Sequence, residues 1–330
     1  MTGSHIPSAP SWETGDLEAV GACPACGSGR QEVLYAELRD QVFGIVDGKW
    51  SLQRCLACSS AYLDPRPAAH AIHRLYAGEY YTHATPLVGR QDGSGSRLGR
   101  RVRSVLDPRL RMARARQRRH LGSPRCGTRL LDVGCGSGQF VADALARGWD
   151  ATGIDSDAVA ITAGQRLGLP LSTESLEEIA RAQPRSVDVM TMEHVIEHVP
   201  DPVGFLACAR EVLAPSGTLW LATPNIEAAG HRRFKAAWKH LDPPRHLVVF
   251  SPTALDAALA AAGFARVRSL RSASGTIETY AHSWRINRGL SPLADVAVPP
   301  AVAIQSRLAG LRSVVSTATS DELIRIARRS

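Results

Sequence analysis

No apolar run in the 330-residue chain approaches the roughly 18 residues that a membrane-spanning helix needs. The first twenty residues also lack the basic-then-apolar order of a secretory signal, so a cytoplasmic protein is expected. An acidic excess is missing: 39 Lys and Arg stand against 31 Asp and Glu, a net charge of +8. That excludes an acidic solvating tail and suits a polyanionic partner or substrate, without being strong enough to name nucleic acid. Nor do the cysteines read as a disulfide framework, because seven is an odd count and four of them form two Cys-x-x-Cys pairs. Reduced thiols, some holding metal, fit better. What is abundant is core material: 44% hydrophobic residues suffice for one large domain with a small module, or for two ordinary domains.

Residues 1–20, with their scattered Gly, Ser and Pro, read as a flexible tail. Residues 21–82 read as a small separate module: two cysteine knuckles, short strands near 33–35, 41–46 and 50–53, and a proline-bounded helix over 68–76. A Gly/Ser-rich linker and an arginine-rich helix fill 83–125. From 126 to 330 strand and helix alternate as in a doubly wound α/β domain. Strands are expected at 129–133, 151–154, 170–173, 187–192, 217–223 and 264–270. Gly148, Gly168 and Gly263 stop helices, while Asp201-Pro202 and Ser251-Pro252 open them. The alternating run 322–327 predicts a seventh strand paired with the sixth, which makes 276–320 an insertion before the last strand.

The first of these strands ends in Asp132-Val-Gly134-Cys135-Gly136-Ser-Gly138 and a helix follows. Glycines there let the backbone approach a ligand closely, at the strand end where open α/β sheets bind ligands. Asp155, followed by Ser156, ends the second strand and is placed to accept hydrogen bonds from two ribose hydroxyls. A dinucleotide fold has the spacing Gly-x-Gly-x-x-Gly, whereas these glycines alternate one by one. Over 129–270 the sequence resembles the class I S-adenosylmethionine-dependent methyltransferases, with a Rossmann-like seven-stranded sheet. The resemblance implies that Asp132, Gly134, Gly136 and Gly138 hold the methionine portion, with Cys135 lining the loop and Asp155 on the ribose. Ser175 and Leu176 then stand near adenine.

Cys23-Pro-Ala-Cys26 and Cys55-Leu-Ala-Cys58 are matched knuckles whose four thiolates can complete a tetrahedral, structural zinc site with no open position for chemistry, the alternative being unliganded buried or redox cysteines. Leu75-Tyr76 and Glu79-Tyr80-Tyr81 follow them. This part resembles bacterial methyltransferases with an N-terminal zinc ribbon. Tyr80 and Tyr81 are either helix-packing residues or a lid over cofactor and substrate.

Methyl transfer from a sulfonium is an in-line displacement, so the protein must align the acceptor and remove its proton. The run 192–199 after the fourth strand, if helical, puts Glu193 and Glu197 on one face and His194 and His198 on another. It resembles the Glu-x-x-x-Glu-His pattern of ubiquinone-biosynthesis O-methyltransferases, which implies a divalent ion such as Mg²⁺ at Glu193, Glu197 and His198. Alternatively Glu193 and His198 line the cofactor without metal. The loop His240-Leu-Asp242-Pro-Pro-Arg245-His246 follows Thr223-Pro-Asn225, and two prolines fix it. Zinc-ribbon sugar C-methyltransferases carry a similar histidine-rich turn, which makes His246 the first candidate base, with His240 and His198 behind it. Asn225 and Arg245 are candidate substrate contacts. Asp242-Pro243-Pro244 resembles a motif of nucleic-acid amino-methylating enzymes, but Arg245 replaces its aromatic residue.

Residues 97–125 carry eleven arginines and one acid, Asp107. They form either a solvated helix face or a docking surface for an anionic or carrier-linked acceptor. The sequence therefore predicts a zinc-ribbon methyltransferase acting on a small molecule, with hydroxyl oxygen favoured. Its rivals are a sugar C-methyltransferase and an RNA-binding zinc-ribbon protein.

Overall fold

The computed structural model describes residues 12–13, 15–76, 119–272 and 275–329. The N-terminal part is built on an antiparallel meander of β2 (Gln31–Leu38), β3 (Trp50–Cys55) and β4 (Ala61–Leu63), beside a short ladder of β1 (Leu17–Glu18) with β5 (Arg66–Pro67). The helix expected before residue 77 is present as a 3₁₀ helix, Ala69–Tyr76. The strand expected at 41–46 is not formed. Asp40 sits at its start, and its carboxylate accepts the amides of Phe43, Ile45 and Val46 at 3.0–3.1 Å. A side-chain acceptor thus takes the donors that a ladder would have used.

The larger part follows as β6 (Arg129–Val133), α1 (Gln139–Ala146), β7 (Asp150–Ile154), α2 (Ala158–Gln165), β8 (Leu171–Ser172), α3 (Leu176–Ala182), β9 (Val187–Glu193) and α4 (Pro202–Val212). It continues with β10 (Leu213–Pro224), α5 (Ala229–Phe234), β11 (Val248–Val249), α6 (Pro252–Ala261), β12 (Phe264–Leu270), α7 (Thr276–Ile286), α8 (Pro300–Val315) and β13 (Glu322–Arg329). Seven strands form one sheet in the order β12-β13-β10-β9-β6-β7-β8. β13 runs antiparallel to both neighbours, and β10, β9, β6, β7 and β8 are parallel. Central strands of such a sheet are covered on both faces, and Leu131, Val133, Met190 and Met192 are accordingly buried. Strand order reverses at β6, so the crevice beyond its carboxyl end is where a doubly wound sheet takes ligands. The expected seventh strand pairs with the sixth, and α7 and α8 occupy the insertion between them.

The N-terminal module shares its sheet with the larger part. β11, from the larger part, pairs with β4 as the fourth strand of the meander, matching Val248 with Tyr62 and Val249 with Ala61. Leu63 donates its amide to the Leu247 carbonyl at 3.0 Å, and Ser251 to Ser60 Oγ at 3.0 Å. All three residues of β4 are buried, so the strand needs a partner along its free edge and cover on both faces. Leu52, Tyr62 and Leu63 lie in the same apolar core as Leu247 and Phe250.

Candidate active site

The glycine loop leaves β6 in a left-handed conformation: φ is +72° at Gly134, +53° at Gly136 and +85° at Gly138. Their reasons differ. A Cβ on Gly134 would lie 2.4 Å from Val195 Cγ2, and one on Gly138 would lie 2.8 Å from Leu171 Cδ1, so both are demanded by packing. At Gly136 a Cβ meets nothing within 4 Å. It would project into open space at the carboxyl end of β6. Asp155 is half-buried beside this loop, with Oδ2 accepting the Gly136 amide at 2.8 Å and Oδ1 the Asp157 amide at 2.9 Å.

Asp132 lies beneath the loop, fully buried. Its Oδ1 accepts from the Arg119 guanidinium and from Thr191 Oγ1 at 2.8 Å, while Oδ2 has no hydrogen-bond partner. Burial holds its carboxyl above the usual range against the pull of Arg119. Arg119 also reaches Glu193 Oε2 at 3.1 Å and stacks on the Phe140 ring at 3.8 Å. Arg119 is thus a buried cation shared by two acids, with one oxygen of Asp132 left unpartnered.

Across the strand ends lies a cluster of histidines. His194, at φ +54°, binds Glu197 Oε1 through Nδ1 and Glu322 Oε1 through Nε2, each at 2.8 Å. Burial works against its charge, but these two carboxylates raise the imidazole to about 10. Glu197 is fully buried; burial pushes its carboxyl up and His194 outweighs it, drawing it down to about 2, and its Oε2 accepts Thr223 Oγ1 at 2.9 Å. His194 is thus a cation locked between acids. His198 differs: burial and the neighbouring His246 lower it to about 4, leaving a neutral ring. Its Nδ1 lies 3.0 Å from the Arg245 carbonyl and 3.0 Å from Tyr76 Oη. His246 places Nδ1 2.8 Å from the His240 carbonyl, and its ring meets His198 edge to face at 4.8 Å. A carbonyl only accepts, so both rings carry their proton on Nδ1 and keep the basic lone pair on Nε2.

The profile of the methyltransferase domain family matches residues 98–269, just over half of the chain. The chain belongs to that family. Curated relatives of this methyltransferase include the ubiquinone biosynthesis O-methyltransferases of Xanthomonas campestris pv. campestris, 38% identical over 106 residues, and of Albidiferax ferrireducens, 37% identical over 110 residues. These alignments cover 30% and 31% of the chain and 44% and 43% of the relatives, so the chain spans less than half their length. A solved S-adenosylmethionine-dependent methyltransferase from Archaeoglobus fulgidus is 17% identical, with a TM-score of 0.45, covering 71% of this chain and all of that one.

The fold is the expected class I sheet, and several expected site residues are redistributed within it. The run 192–199 is not a helix: β9 extends to Glu193, His194 turns left-handed, and only Ile196–His198 makes a 3₁₀ turn. Glu193 and Glu197 therefore do not share a helical face, and Glu193 turns to Arg119 instead. Among the described residues of this cluster, the side chains able to share an ion are Glu197, His198 and His246, their ligand atoms within 4.8 Å of one another. Two imidazoles and a carboxylate whose oxygens are already engaged do not fit Mg²⁺, which favours oxygen ligands. Arg245 and Asn225, expected at the substrate, are fully buried. Asn225 instead donates to the Ala318 and Ser320 carbonyls and accepts the Glu227 amide. Ser175 caps α3 in a reciprocal pair with Glu178, and Leu176 is core. Ser156 is exposed beside Asp155, and buried Cys135 has its thiol pushed up by desolvation. His240 bonds Thr279 Oγ1 at 3.0 Å and stacks parallel to His194. Tyr80, Tyr81 and the arginines of 97–118 lie outside the described residues. Sequence reasoning missed Arg119, one arginine among eleven, and Glu322 and Thr223, whose roles depend on pairing β10 with β13.

The cysteine knuckles converge as expected. Cys23 and Cys58 Sγ are 3.7 Å apart and Cys26 and Cys55 Sγ 3.6 Å. A tetrahedron with zinc–sulfur bonds of about 2.3 Å has edges of about 3.8 Å. Two of the sulfur–sulfur distances match that edge, and all four sulfurs lie within 4.8 Å of one another.

Proposed function

We propose that this methyltransferase transfers the methyl group of S-adenosylmethionine to a hydroxyl oxygen of a small molecule, with His246 as general base. When bound, that cofactor supplies an electrophilic methyl on a sulfonium. The glycine loop, Asp155 and the Arg119, Asp132 and Glu193 charges are the groups that would hold it. Its family supports methyl transfer, and relatives named as O-methyltransferases support oxygen as the acceptor atom. The charge excess of the chain supports an acceptor carrying an anionic or carrier-linked group. Among the described residues no helix is long and apolar enough to cross a membrane. The four cysteines would hold a structural zinc.

The observation that carries the base assignment is the pair of Nδ1–H groups tied to backbone carbonyls, which leaves the His246 lone pair on Nε2, 4.0 Å from Asp242 Oδ2, to take the acceptor proton, beside neutral His198. His194 is unsuited, being held as a cation by two carboxylates. Candidate phenols and sugars should be screened for turnover and the product identified by mass and NMR. On the true acceptor, His246→Ala should lower the rate by roughly a hundredfold with cofactor affinity intact, the usual scale for a lost general base. A near-normal rate refutes the assignment.

A further inference from the structure

The N-terminal part reaches the histidine cluster through Tyr76 Oη on His198 and, from the ribbon loop, through the guanidinium of Arg245. Arg245 is fully buried; Nη1 donates to Asp40 Oδ2 at 3.0 Å and Nη2 to Asp40 Oδ1, while Nε and Nη2 hold Asp242 Oδ1 at 3.1 and 2.7 Å. Its plane lies over the Phe43 ring at 4.3 Å. Asp40 is itself fixed by three amides of the ribbon loop. The other end of the same residue touches the histidines. The Arg245 carbonyl accepts from His198 Nδ1 at 3.0 Å, and the amides of Arg245 and His246 both donate to the Asp242 carbonyl at 2.9 and 3.1 Å. His246 is the next residue, and Leu247 binds the Glu197 carbonyl at 2.8 Å.

We propose that Asp40 and Arg245 are positioning residues, through which the ribbon sets the tautomer and aim of the His198 and His246 rings. A fork bonded to two carboxylates fixes the guanidinium in position and plane, as a lysine point charge does not. With that end anchored in the ribbon, the carbonyl at the other end stays on His198 and the turn that presents His246 keeps its shape. The ribbon then serves the site as well as the core. The proposal rests on reading these imidazoles as the proton-handling groups. Ring tautomers are measured without turnover, so either idea can fail alone.

The test is long-range proton–nitrogen NMR on the full chain labelled with ¹⁵N-histidine, with ring signals assigned by His198→Gln and His246→Gln. In the wild type both rings should report the proton on Nδ1. Asp40→Asn leaves Arg245 paired one-to-one with Asp242, so no buried charge is orphaned. In this variant the His198 and His246 signals should move to a mixture of tautomers, with Arg245→Lys doing the same. His194, anchored on Glu197 and Glu322, should stay unchanged, and S-adenosylhomocysteine affinity should fall by less than about threefold, a change under ~0.7 kcal/mol. Three results overturn the proposal. Unchanged His198 and His246 signals in both variants are one. A parallel disturbance of His194 and of cofactor affinity is the second, since it marks general loosening. Failure of Asp40→Asn to fold is the third, because it makes Asp40 a residue of stability alone.

Discussion

Gly134 and Gly136 stand two residues apart in one loop, both left-handed, and the structure assigns them opposite failures. An alanine at either pays a left-handed penalty of about 1–2 kcal/mol. At Gly134 the new methyl also lies 2.4 Å from Val195 Cγ2, a branched side chain held at the end of β9, so Val195 must move. Overpacking of this kind costs about 1–3 kcal/mol more. At Gly136 there is no such neighbour. Taking about 2 °C per kcal/mol for a chain of this size, Gly134→Ala should lower Tm by about 4–10 °C and Gly136→Ala by only about 2–4 °C. Cofactor binding should reverse the order of harm, because the Gly136 methyl enters the open space that the proposed cofactor would occupy. Calorimetry with S-adenosylmethionine should show at least tenfold weaker binding for Gly136→Ala in a protein whose circular dichroism is unchanged. Native affinity in that variant refutes cofactor binding at Gly136, and a larger Tm loss at Gly136 than at Gly134 refutes the packing argument.

Elemental analysis of protein purified under reducing conditions should find one zinc per chain. Cys55→Ser should then lower the stability of the whole chain rather than of a detachable module, because β4 carries β11 with it; retention of full cofactor binding in a chain whose ribbon is unfolded counts against this. Stability should also depend on pH through the His194 network. The folded imidazole is raised to about 10 from 6.5, so its contribution is complete below about 6.5 and is lost as pH rises towards 10. Glu197, drawn down to about 2 from 4.5, contributes above about 4.5 and loses its part as pH falls towards 2. Tm against pH should therefore show both limbs in the wild type, and Glu197→Gln should flatten them; limbs of unchanged size dismiss the network.

Local rules made much of the sheet legible. The strands β6 and β7 lead directly into Gly134 and Asp155, β9 ends at Glu193, and Asp157, Ser175, Asp201 and Ser251 cap the helices that follow. The shape of the glycine loop was legible because it comes from the loop's own residues, as at left-handed Gly134, Gly136 and Gly138. The candidate site was obscured where a role is conferred from a distance. The run from Met192 to Val199 has the spacing of an amphipathic helix, and only the left-handed turn at His194, stabilised by Glu322 more than a hundred residues away, gives it another shape. Arg245 looked like a substrate contact because nothing in the loop announces Asp40, and β11 is two residues long, too short to advertise a strand.

That two-residue strand has a consequence for synthesis. β4 leaves the ribosome early, with one edge bare and three apolar residues to cover, while its partner is encoded roughly 190 residues later. At about 5–20 residues per second the wait is on the order of ten to forty seconds, during which an open strand edge is a template for unwanted pairing. Metal capture by the four cysteines, all encoded before β4, would close the knuckles at the start of that interval and hold the nascent meander until Val248 and Val249 arrive.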